Sequence, residues 1–396
     1  MTRDREKPGV VRSLTRRLRG SRSRDRVRGL QSCGARVVIG RDVHVSHPGW
    51  LCLGNDVRLG AGIRLETAGG LTVGHGTRIG RSVTIRTTDD SAGASRPRRP
   101  VLIGRDATIG PGARIGPGSR IADGVSVAAG AVVEGDVGEI VRGAAGGVPP
   151  DTRFVFLPST GRSGTTTMAR LLSRHPEIRC HHERRRQLIR LSTELAHGLV
   201  DEAAAEVELE AIYLGSGVYR SAVYGESDHR LFDLLAILGR ILPESRFVWL
   251  IRDGRDVVAS TLARGWYGGE FRSGTWGEYR LRADACGDMP TEEWDAMTPF
   301  EKNCWYWAFV NRRIDAELAG LAPDRWMALR LEDIASRSAP LFEFLGVEPI
   351  EVGGERENRS RRAVVQPDLW GASEKAAFDR WCGETMDRWY EGWRRG

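Results

Sequence analysis

Apolar side chains recur at every sixth position over residues 101–133, and this spacing is the feature that most restricts the fold. Isoleucine or valine stands at six successive positions, namely Ile103, Ile109, Ile115, Ile121, Val127 and Val133. A second series of apolar or small residues runs two positions earlier, from Val101 to Ala131. Glycine, which turns the chain easily, follows the first three members. The pattern predicts one short strand in every six residues.

The same register extends upstream, with three interruptions. Its members are Ile39, Val45, Leu53, Leu59, Leu65, Val73, Ile79 and Ile85. The gaps 45–53 and 65–73 are two residues too long, and the gap 85–103 is twelve too long. If three strands make one coil, counted from Ile39, all three insertions fall between the second and third strand and stack on one corner. Residues 86–100 should therefore project as a loop from that corner.

This pattern resembles the hexapeptide repeat of left-handed parallel β-helices, in which three hexads make one triangular coil. The resemblance implies an all-β domain over residues 37–142. Many proteins of this fold are acyltransferases that bind acetyl-CoA between the subunits of a trimer and use a histidine as general base. The sugar O-acetyltransferase branch carries that histidine beside or within the long loop, and residues 86–100 contain none.

The histidines of this domain are interpreted as solvent-facing; they are His44, His47 and His75. We therefore expect the domain to act as a trimerising scaffold. Retained acyl transfer with acetyl-CoA is the second, less favoured interpretation.

Residues 153–172, RFVFLPSTGRSGTTTMARLL, predict a strand, a tight loop and a helix. The two glycines of the loop, Gly161 and Gly164, interrupt the apolar pattern. Such a loop presents backbone N–H groups at the positive end of a helix, where they can hold phosphate or sulfate. No lysine follows Gly164, so the Walker loop of nucleotide kinases and ATPases is excluded.

The loop resembles the 5′-phosphosulfate loop of the sulfotransferases that use 3′-phosphoadenosine 5′-phosphosulfate (PAPS), in which a basic residue precedes Ser-Gly-Thr-Thr. The matching residues are Arg162, Ser163, Gly164, Thr165 and Thr166. A second apolar strand, residues 246–251, ends at Arg252, and Ser260 stands eight residues later. In the family an arginine and a serine at this spacing both hold the 3′-phosphate. The spacing suits the task, because an arginine fork and a hydroxyl about two helical turns later can bracket one phosphate.

The resemblance also implies where the general base stands. In sulfotransferases of bacterial type it often follows the first helix as Glu or His, so Glu183 and His182 are the candidates. The alternative is that the run HHE begins a polar, arginine-rich helix. A further family segment near the acceptor usually has Asp or Glu followed by Lys, and here Ser227 replaces that lysine. Residues 358–362 lie where the family has a loop that closes over PAPS.

Three other stretches carry weaker expectations. Residues 265–297 mix Gly, Trp and Tyr without helical period, which predicts an irregular acceptor-side loop. Residues 299–321 predict a long helix with core aromatics. Residues 326–334 predict a third strand, and a packing helix is expected to start at Leu341.

Charge and cysteine content narrow the class of protein. The net charge is +7, but residues 1–30 hold ten Arg and one Lys against three acids, so the basicity belongs to the N-terminus. Its apolar residues Val10, Val11, Leu14 and Leu18 have the spacing of a short amphipathic helix that could rest on an anionic membrane; a solvated leader is the favoured interpretation.

The six cysteines form no C-x-x-C pair or metal spacing, which predicts reduced thiols and no metal site. The sequence has no apolar signal region or spanning stretch, which predicts a cytoplasmic protein.

We therefore expect two domains in 396 residues. A basic leader, 1–36, precedes a left-handed parallel β-helix, 37–142; a linker, 143–151, leads to an α/β P-loop-type sulfotransferase domain with a parallel sheet, 152–396. The expected activity is sulfuryl transfer from PAPS to a hydroxyl of a glycan or small-molecule natural product by a homotrimer, without a nucleic-acid partner. The alternatives are a bifunctional acyltransferase and sulfotransferase, or a non-catalytic β-helix assembly module with a nucleotide-binding domain.

Overall fold

The computed structural model describes residues 29–88, 98–137, 152–185, 187–215, 219, 221–268, 279–351 and 367–395. The described chain falls into two compact units, one with residues 29–137 and 210–215, the other with residues 152–209 and 219–395. Four expected features lie outside the described residues: the N-terminal amphipathic segment, the tip of the 86–100 loop, the 143–151 linker and the 358–362 phosphate clamp.

The first unit contains short strands of two or three residues, as the hexad spacing predicts. They are β1 (Ser32–Cys33), β2 (Val38–Ile39), β3 (His44–Val45), β4 (Leu51–Leu53), β5 (Arg58–Leu59), β6 (Arg64–Glu66), β7 (Leu71–Val73), β8 (Arg78–Ile79), β9 (Thr84–Arg86), β10 (Val101–Ile103), β11 (Thr108–Ile109), β12 (Arg114–Ile115), β13 (Arg120–Ile121), β14 (Ser126–Val127), β15 (Val132–Val133) and β16 (Asp136–Val137). They form three parallel sheets, β1-β4-β7-β10-β13-β16, β2-β5-β8-β11-β14 and β3-β6-β9-β12-β15. Successive strands thus visit the three sheets in turn, which is the arrangement of a β-helix.

The interior of this β-helix is filled by the predicted hexad residues, all of which belong to one buried apolar cluster. The insertions after Val45, Leu65 and Ile85 all lie where the chain passes from the third sheet to the first. The prediction that they share one corner is therefore confirmed. Stacking of the coils leaves no room for side chains at some corners: a Cβ on Gly74 would lie 2.5 Å from the carbonyl carbon of Gly104.

The histidines of the β-helix differ in their surroundings. His47 is exposed and His44 is half-buried. His75 is also half-buried, and its Nδ1 accepts a 2.7 Å hydrogen bond from the backbone N–H of Asn55. The solvent-facing interpretation is therefore wrong for His75, because this ring ties neighbouring coils together.

The second unit is built on a five-stranded parallel sheet in the order β18-β19-β17-β20-β21. Its strands are β17 (Arg153–Leu157), β18 (Ile178–His182), β19 (Val223–Ser227), β20 (Arg246–Ile251) and β21 (Trp326–Arg330). The described helices are α1 (Thr165–Leu172), α2 (Gln187–Ala196), α3 (Glu202–Glu210), α4 (Leu235–Ile241), α5 (Gly254–Leu262), α6 (Thr291–Ala296), α7 (Pro299–Ala319), α8 (Ser338–Leu345) and α9 (Ala372–Trp389). A π-helical turn, Ala211–Gly215, follows α3 in the chain and is grouped with the first unit.

Burial on both faces explains the continuous apolar runs of the central strands β17 and β20. Strand β19 is buried along its whole length as well, but it carries the polar residues Glu226 and Ser227. One apolar core joins the sheet to α1 and α8, and another joins α5, α7 and α9. Because the strands are parallel, the residues that follow them meet at one edge of the sheet, where α/β proteins bind their ligands.

The structure contradicts one alternative for this unit and corrects the bounds of two predicted elements. The alternative that the run HHE begins a helix is wrong: His181 and His182 end β18, because Ile178 and Cys180 alternate into the core while Arg179 faces solvent. Strand β21 stops at Arg330, and a 3₁₀ turn, Leu331–Asp333, follows it. Helix α8 begins at Ser338, before Leu341.

The stretch 265–297 is not irregular throughout, since α6 forms around the buried Trp294. Helix α7 carries a capping box between Thr298 and Glu301, and its aromatic residues Trp305 and Trp307 are buried as predicted. All six cysteines are free thiols. Within the described ranges, no helix combines the length and apolarity needed to cross a bilayer.

Candidate active site

The loop between β17 and α1 has no room for a side chain at two of its glycines. Gly164 has φ +87° and stands at the N-cap of α1, and a Cβ there would lie 2.4 Å from Leu331 Cδ1. A Cβ on Gly161 would lie 2.6 Å from the ring of Trp266. Arg162 also adopts a left-handed backbone, with φ +71°. The loop is therefore pressed between neighbouring side chains, with its N–H groups at the start of the helix.

The structure brings the two predicted PAPS motifs into direct contact. Arg162 Nε donates a 3.1 Å hydrogen bond to Ser260 Oγ on α5. Arg252, at the end of β20, donates from Nη1 to the carbonyl oxygen of Arg162 at 3.0 Å. Asp256 holds the other arm of Arg252 at 2.8 Å. Residues predicted from two separate segments thus form one site.

Positive charge is concentrated at this junction. Burial lowers the pKa of Arg162, and the nearby guanidinium groups of Arg264 and Arg252 lower it further, while Glu183 opposes them. Arg264 Nε is buried and has no hydrogen-bond partner among the described residues. Three arginines without full neutralisation make a site that suits a polyanion.

Arg264 was missed by the sequence reasoning, although a signal was available. It stands four residues after Ser260, about one helical turn, where a side chain faces the same way. An arginine at that spacing could have been added to the phosphate motif.

Tyr306 was also missed as a site residue, because its helix was interpreted only as core. The backbone N–H of Gly161 donates a 3.0 Å hydrogen bond to the Tyr306 hydroxyl oxygen. Burial raises the pKa of Tyr306 to about 12, so the hydroxyl stays neutral. Trp266 packs edge-on against Tyr306 at 5.4 Å, and the guanidinium of Arg280 stacks over Trp266 at 3.9 Å. These aromatic residues fix the wall on the far side of the loop.

The two candidate bases lie beside the same loop. His182 Nε2 lies 2.9 Å from Thr165 Oγ1 and 3.2 Å from Thr166 Oγ1, so its ring is engaged with the loop threonines. The same nitrogen is 3.5 Å from Glu183 Oε1. Burial lowers the pKa of His182. Both candidates therefore border the predicted phosphosulfate loop, at the end of β18.

Glu183 has a second imidazole partner that the sequence gave no reason to select. His229 Nδ1 lies 2.9 Å from Glu183 Oε1. Burial would raise the pKa of Glu183, but the charge and hydrogen bond of His229, followed by the charge of Arg230, hold it well below its ordinary range. Glu183 is thus a carboxylate in the folded protein. The available signal was position: His229 follows β19, the strand next to β18.

A buried ion-pair network supports this edge of the sheet. Glu226 Oε1 accepts from Arg185 Nε at 2.6 Å and from the Tyr224 hydroxyl at 2.5 Å. Asp228 accepts from Arg230 with both oxygens, at 2.6 and 2.5 Å. These charged side chains are paired with one another within the protein, and the pairing holds the residues that follow β19 in place.

Glu183, Asp228 and His229 have candidate ligand atoms within 4.8 Å of one another, close enough to raise the question of a metal ion. The guanidinium of Arg230 already occupies both oxygens of Asp228. The donor set is therefore better explained as a network of ion pairs than as a metal centre.

Two family models match separate parts of the chain. Residues 155–347 match the model of the sulfotransferase family, and residues 100–135 match the bacterial transferase hexapeptide model, which describes six repeats. The chain is 28% identical to protein-tyrosine sulfotransferase 1 of Homo sapiens over 130 residues, covering 29% of this chain and 35% of that protein. It is 31% identical to protein-tyrosine sulfotransferase 2 of Gallus gallus over 126 residues, covering 28% and 34%. The chain thus spans about a third of the length of the curated relatives it matches.

Two solved structures align with parts of the chain. A sulfotransferase from Alicyclobacillus acidocaldarius aligns with a TM-score of 0.35 and 16% identity, over 61% of this chain and 96% of that one. A maltose O-acetyltransferase from Clostridium difficile 630 aligns with a TM-score of 0.28 and 23% identity, over 29% and 65%. The C-terminal part of the chain is a sulfotransferase-family domain, and it follows a region of bacterial hexapeptide repeats.

Proposed function

We propose that the chain transfers a sulfuryl group from PAPS to a hydroxyl of a glycan or small-molecule natural product. The observation that carries the proposal is the junction of Arg162 with Ser260 and Arg252, since it unites the 5′-phosphosulfate and 3′-phosphate motifs. A site of this kind matches a nucleotide donor with anionic groups at both positions.

The residues present fit that donor. Ser163, Gly164, Thr165 and Thr166 would hold the 5′-phosphosulfate at the N-terminus of α1. Arg252 and Ser260 would hold the 3′-phosphate, and the buried, unpartnered Nε of Arg264 offers a further donor to an anion. When bound, PAPS supplies the sulfuryl group, whose sulfur gains a bond to the acceptor oxygen and loses its bond to the 5′-phosphate, which keeps the electron pair.

Arg162 stabilises negative charge on the donor side. Its guanidinium is half-buried, so its attraction for an anion is less screened than it would be in water. A guanidinium does not lose its proton under ordinary conditions, so Arg162 acts by charge and hydrogen bonding.

Glu183 is the better of the two candidate bases. The Nε2 of His182 is already shared between Thr165 and Thr166, which suits a residue that orients the loop. Glu183 is ionised, and the arrival of an anionic donor would raise its pKa from its depressed state and make it a stronger base. Removing the acceptor proton in this way typically gives 10²–10⁴-fold acceleration.

We propose that the β-helix domain, residues 37–142, is a trimerising scaffold and that residues 152–396 form the catalytic domain. Hexapeptide-repeat proteins typically form trimers through their β-helices. The hydrogen bond between the His75 imidazole and the backbone N–H of Asn55 disfavours His75 as the general base of an acyl transfer. Sedimentation velocity should give three times the chain mass of 43.8 kDa. Transfer from labelled acetyl-CoA to the acceptor would instead support the bifunctional alternative.

The acceptor class can be found by an assay that needs no prior guess. Purified protein and PAPS are incubated with an extract of the native host, release of 3′-phosphoadenosine 5′-phosphate (PAP) is measured, and the sulfated product is found by mass. Because the curated relatives are named protein-tyrosine sulfotransferases, a phenol such as p-nitrophenol belongs in the panel. Acceptor-dependent PAP release that Arg162→Ala abolishes supports the proposal. PAP release at the same rate in both proteins contradicts it.

A further inference from the structure

The last residue of β19, Ser227, departs from the family pattern that this segment resembles. By the resemblance, a lysine near the acceptor belongs at Ser227, and serine cannot supply a positive charge. Ser227 is fully buried, and its Oγ has no hydrogen-bond partner in the described parts of the chain. Two residues later, the Nδ1 atom of His229 lies 2.9 Å from Glu183 Oε1.

We propose that His229 is a positioning residue for the candidate base Glu183. This inference rests on the proposed sulfotransferase function. His229 Nδ1 holds Oε1 of Glu183, and the other oxygen, Oε2, has no hydrogen-bond partner among the described residues. The acceptor hydroxyl gives its proton to that second oxygen.

The neighbouring groups explain why His229 turns to Glu183. Its other acidic neighbour is Asp228, at 3.9 Å, and both oxygens of Asp228 are already taken by Arg230. His229 is therefore left with Glu183 as its close carboxylate partner. The backbone of Glu183 has φ +45°, an uncommon left-handed conformation, so its side chain is aimed by a special turn as well as by this contact.

The charged and titratable groups facing the pair come from several elements. Arg230 and Asp228 come from the segment after β19, His182 from β18, Arg162 from the β17–α1 loop and Tyr306 from α7. Arg162 is not expected to titrate near neutral pH, and burial keeps Tyr306 protonated there. The charge of His229 is the largest influence that lowers the pKa of Glu183, so loss of His229 removes the strongest attraction for the carboxylate.

A magnetic-resonance experiment on the ligand-free enzyme tests the pairing without any acceptor. Protein labelled with ¹⁵N is examined for imidazole resonances, and the loss of one set in His229→Asn identifies those of His229. We expect a proton on Nδ1, and we expect its resonance to move in Glu183→Gln but not in His197→Asn. An Nδ1 resonance that does not respond to Glu183→Gln would overturn the inference.

Kinetics with PAPS and p-nitrophenol, or the acceptor found in the host extract, test the role. His229→Ala should lower kcat between about 10- and 100-fold and leave the KM for PAPS unchanged, because the base is displaced and the donor site is not. His229→Asn, which keeps a hydrogen-bonding group near the place of Nδ1, should recover much of the loss. His229→Ala removes the partner that opposes the effect of burial, so the pKa of Glu183 should rise. The acid limb of the pH profile of kcat/KM should therefore move to higher pH in this variant. A kcat within twofold of wild type, or an unmoved acid limb, would show that His229 does not position the base.

The two proposals fail differently. If the wild-type protein releases no PAP with any acceptor while the pairing is seen by magnetic resonance, the proposed function fails. If the wild-type protein transfers sulfate and the variants of His229 behave like His197→Asn, the inference about His229 alone fails.

Discussion

Arg252 donates a 3.0 Å hydrogen bond from Nη1 to the carbonyl oxygen of Arg162, across 90 residues of sequence. The side chain that ends β20 therefore holds the backbone of the loop that follows β17. Since Arg162 in turn bonds Ser260 at 3.1 Å, the two anion-binding motifs are mechanically joined. A substitution in either motif should therefore weaken the contacts to both the 5′-phosphosulfate and the 3′-phosphate of a bound donor.

Replacing Arg162 should impair turnover more than folding. Arg162→Ala removes the charge and the bond to Ser260, so kcat should fall about 10²–10³-fold, as when one donor to a developing anion is lost. Arg162→Lys should keep part of the activity, because it keeps the charge without the fork. Steady-state PAP release measures both. The exposed Arg337→Ala serves as the control, and an Arg162→Ala enzyme as active as that control would contradict the assignment.

Gly164→Ala should weaken donor binding by distorting the loop. The left-handed backbone costs a non-glycine residue about 1–2 kcal/mol, and the new methyl group would meet Leu331. We expect the affinity for PAP, measured by calorimetry, to fall about tenfold or more. Gly320→Ala, where the nearest atom lies 3.4 Å away, should bind PAP normally. Equal affinities in the two variants would show that the loop does not depend on this glycine.

A buried carboxyl on α7 should make stability depend on pH. Burial raises the pKa of Glu317 to about 7, and Asp233 adds to the effect, although backbone N–H groups of α4 donate to the carboxylate. The folded protein therefore favours the protonated form, so the stabilisation is complete below the ordinary pKa of 4.5 and is lost as pH rises through about 7. Glu317→Gln cannot ionise and should lose less stability over this range.

Urea unfolding at pH 5 and pH 8 checks the effect of Glu317. The wild type should become less stable relative to Glu317→Gln at the higher pH, whereas the exposed Glu343→Gln should follow the wild type. A constant difference between wild type and Glu317→Gln at both pH values would show that Glu317 ionises normally.

The β-helix offers a matched pair of glycines. Gly74→Ala would bring Cβ within 2.5 Å of backbone atoms of Gly104, so it should destabilise the protein by about 1–3 kcal/mol. Gly116→Ala would place Cβ 3.1 Å from the flexible side chain of Glu134 and 3.3 Å from the carbonyl oxygen of Val133, so it needs only a small adjustment and should cost less than about 1 kcal/mol. Chemical denaturation compares them, and equal stabilities would contradict the tight stacking of coils.

The β-helix was predictable because its signal is local. Each hexad contributes one inward residue, so a single spacing specifies the strands and even the corner that receives the insertions. The strand β17 and helix α1 were predictable for the same reason. By contrast, β18 holds only two buried alternating residues between exposed ones, and a pattern that short does not distinguish a strand from the start of a polar helix.

The site residues that belong to motifs of fixed spacing could be predicted from the sequence. Those that are brought together only by tertiary contacts could not. The loop from Arg162 to Thr166 and the pair Arg252 and Ser260 were found from motifs, and the structure brings them together. The partnership of Glu183 with His229 depends on strand order, since β18 lies beside β19 in the sheet although 40 residues separate them in the chain. No local pattern carries that information.

The most direct test of the central claim is the affinity for PAP compared with adenosine 5′-phosphate, measured by calorimetry on wild type, Arg252→Ala and Arg337→Ala. The wild type and Arg337→Ala should bind PAP much more tightly, because Arg252 and Ser260 hold the 3′-phosphate. Arg252→Ala should lose most of that preference while still binding the 5′-phosphate. A wild type with equal affinity for the two nucleotides, or an Arg252→Ala variant with an undiminished preference for PAP, would contradict a single donor site shared by the two motifs.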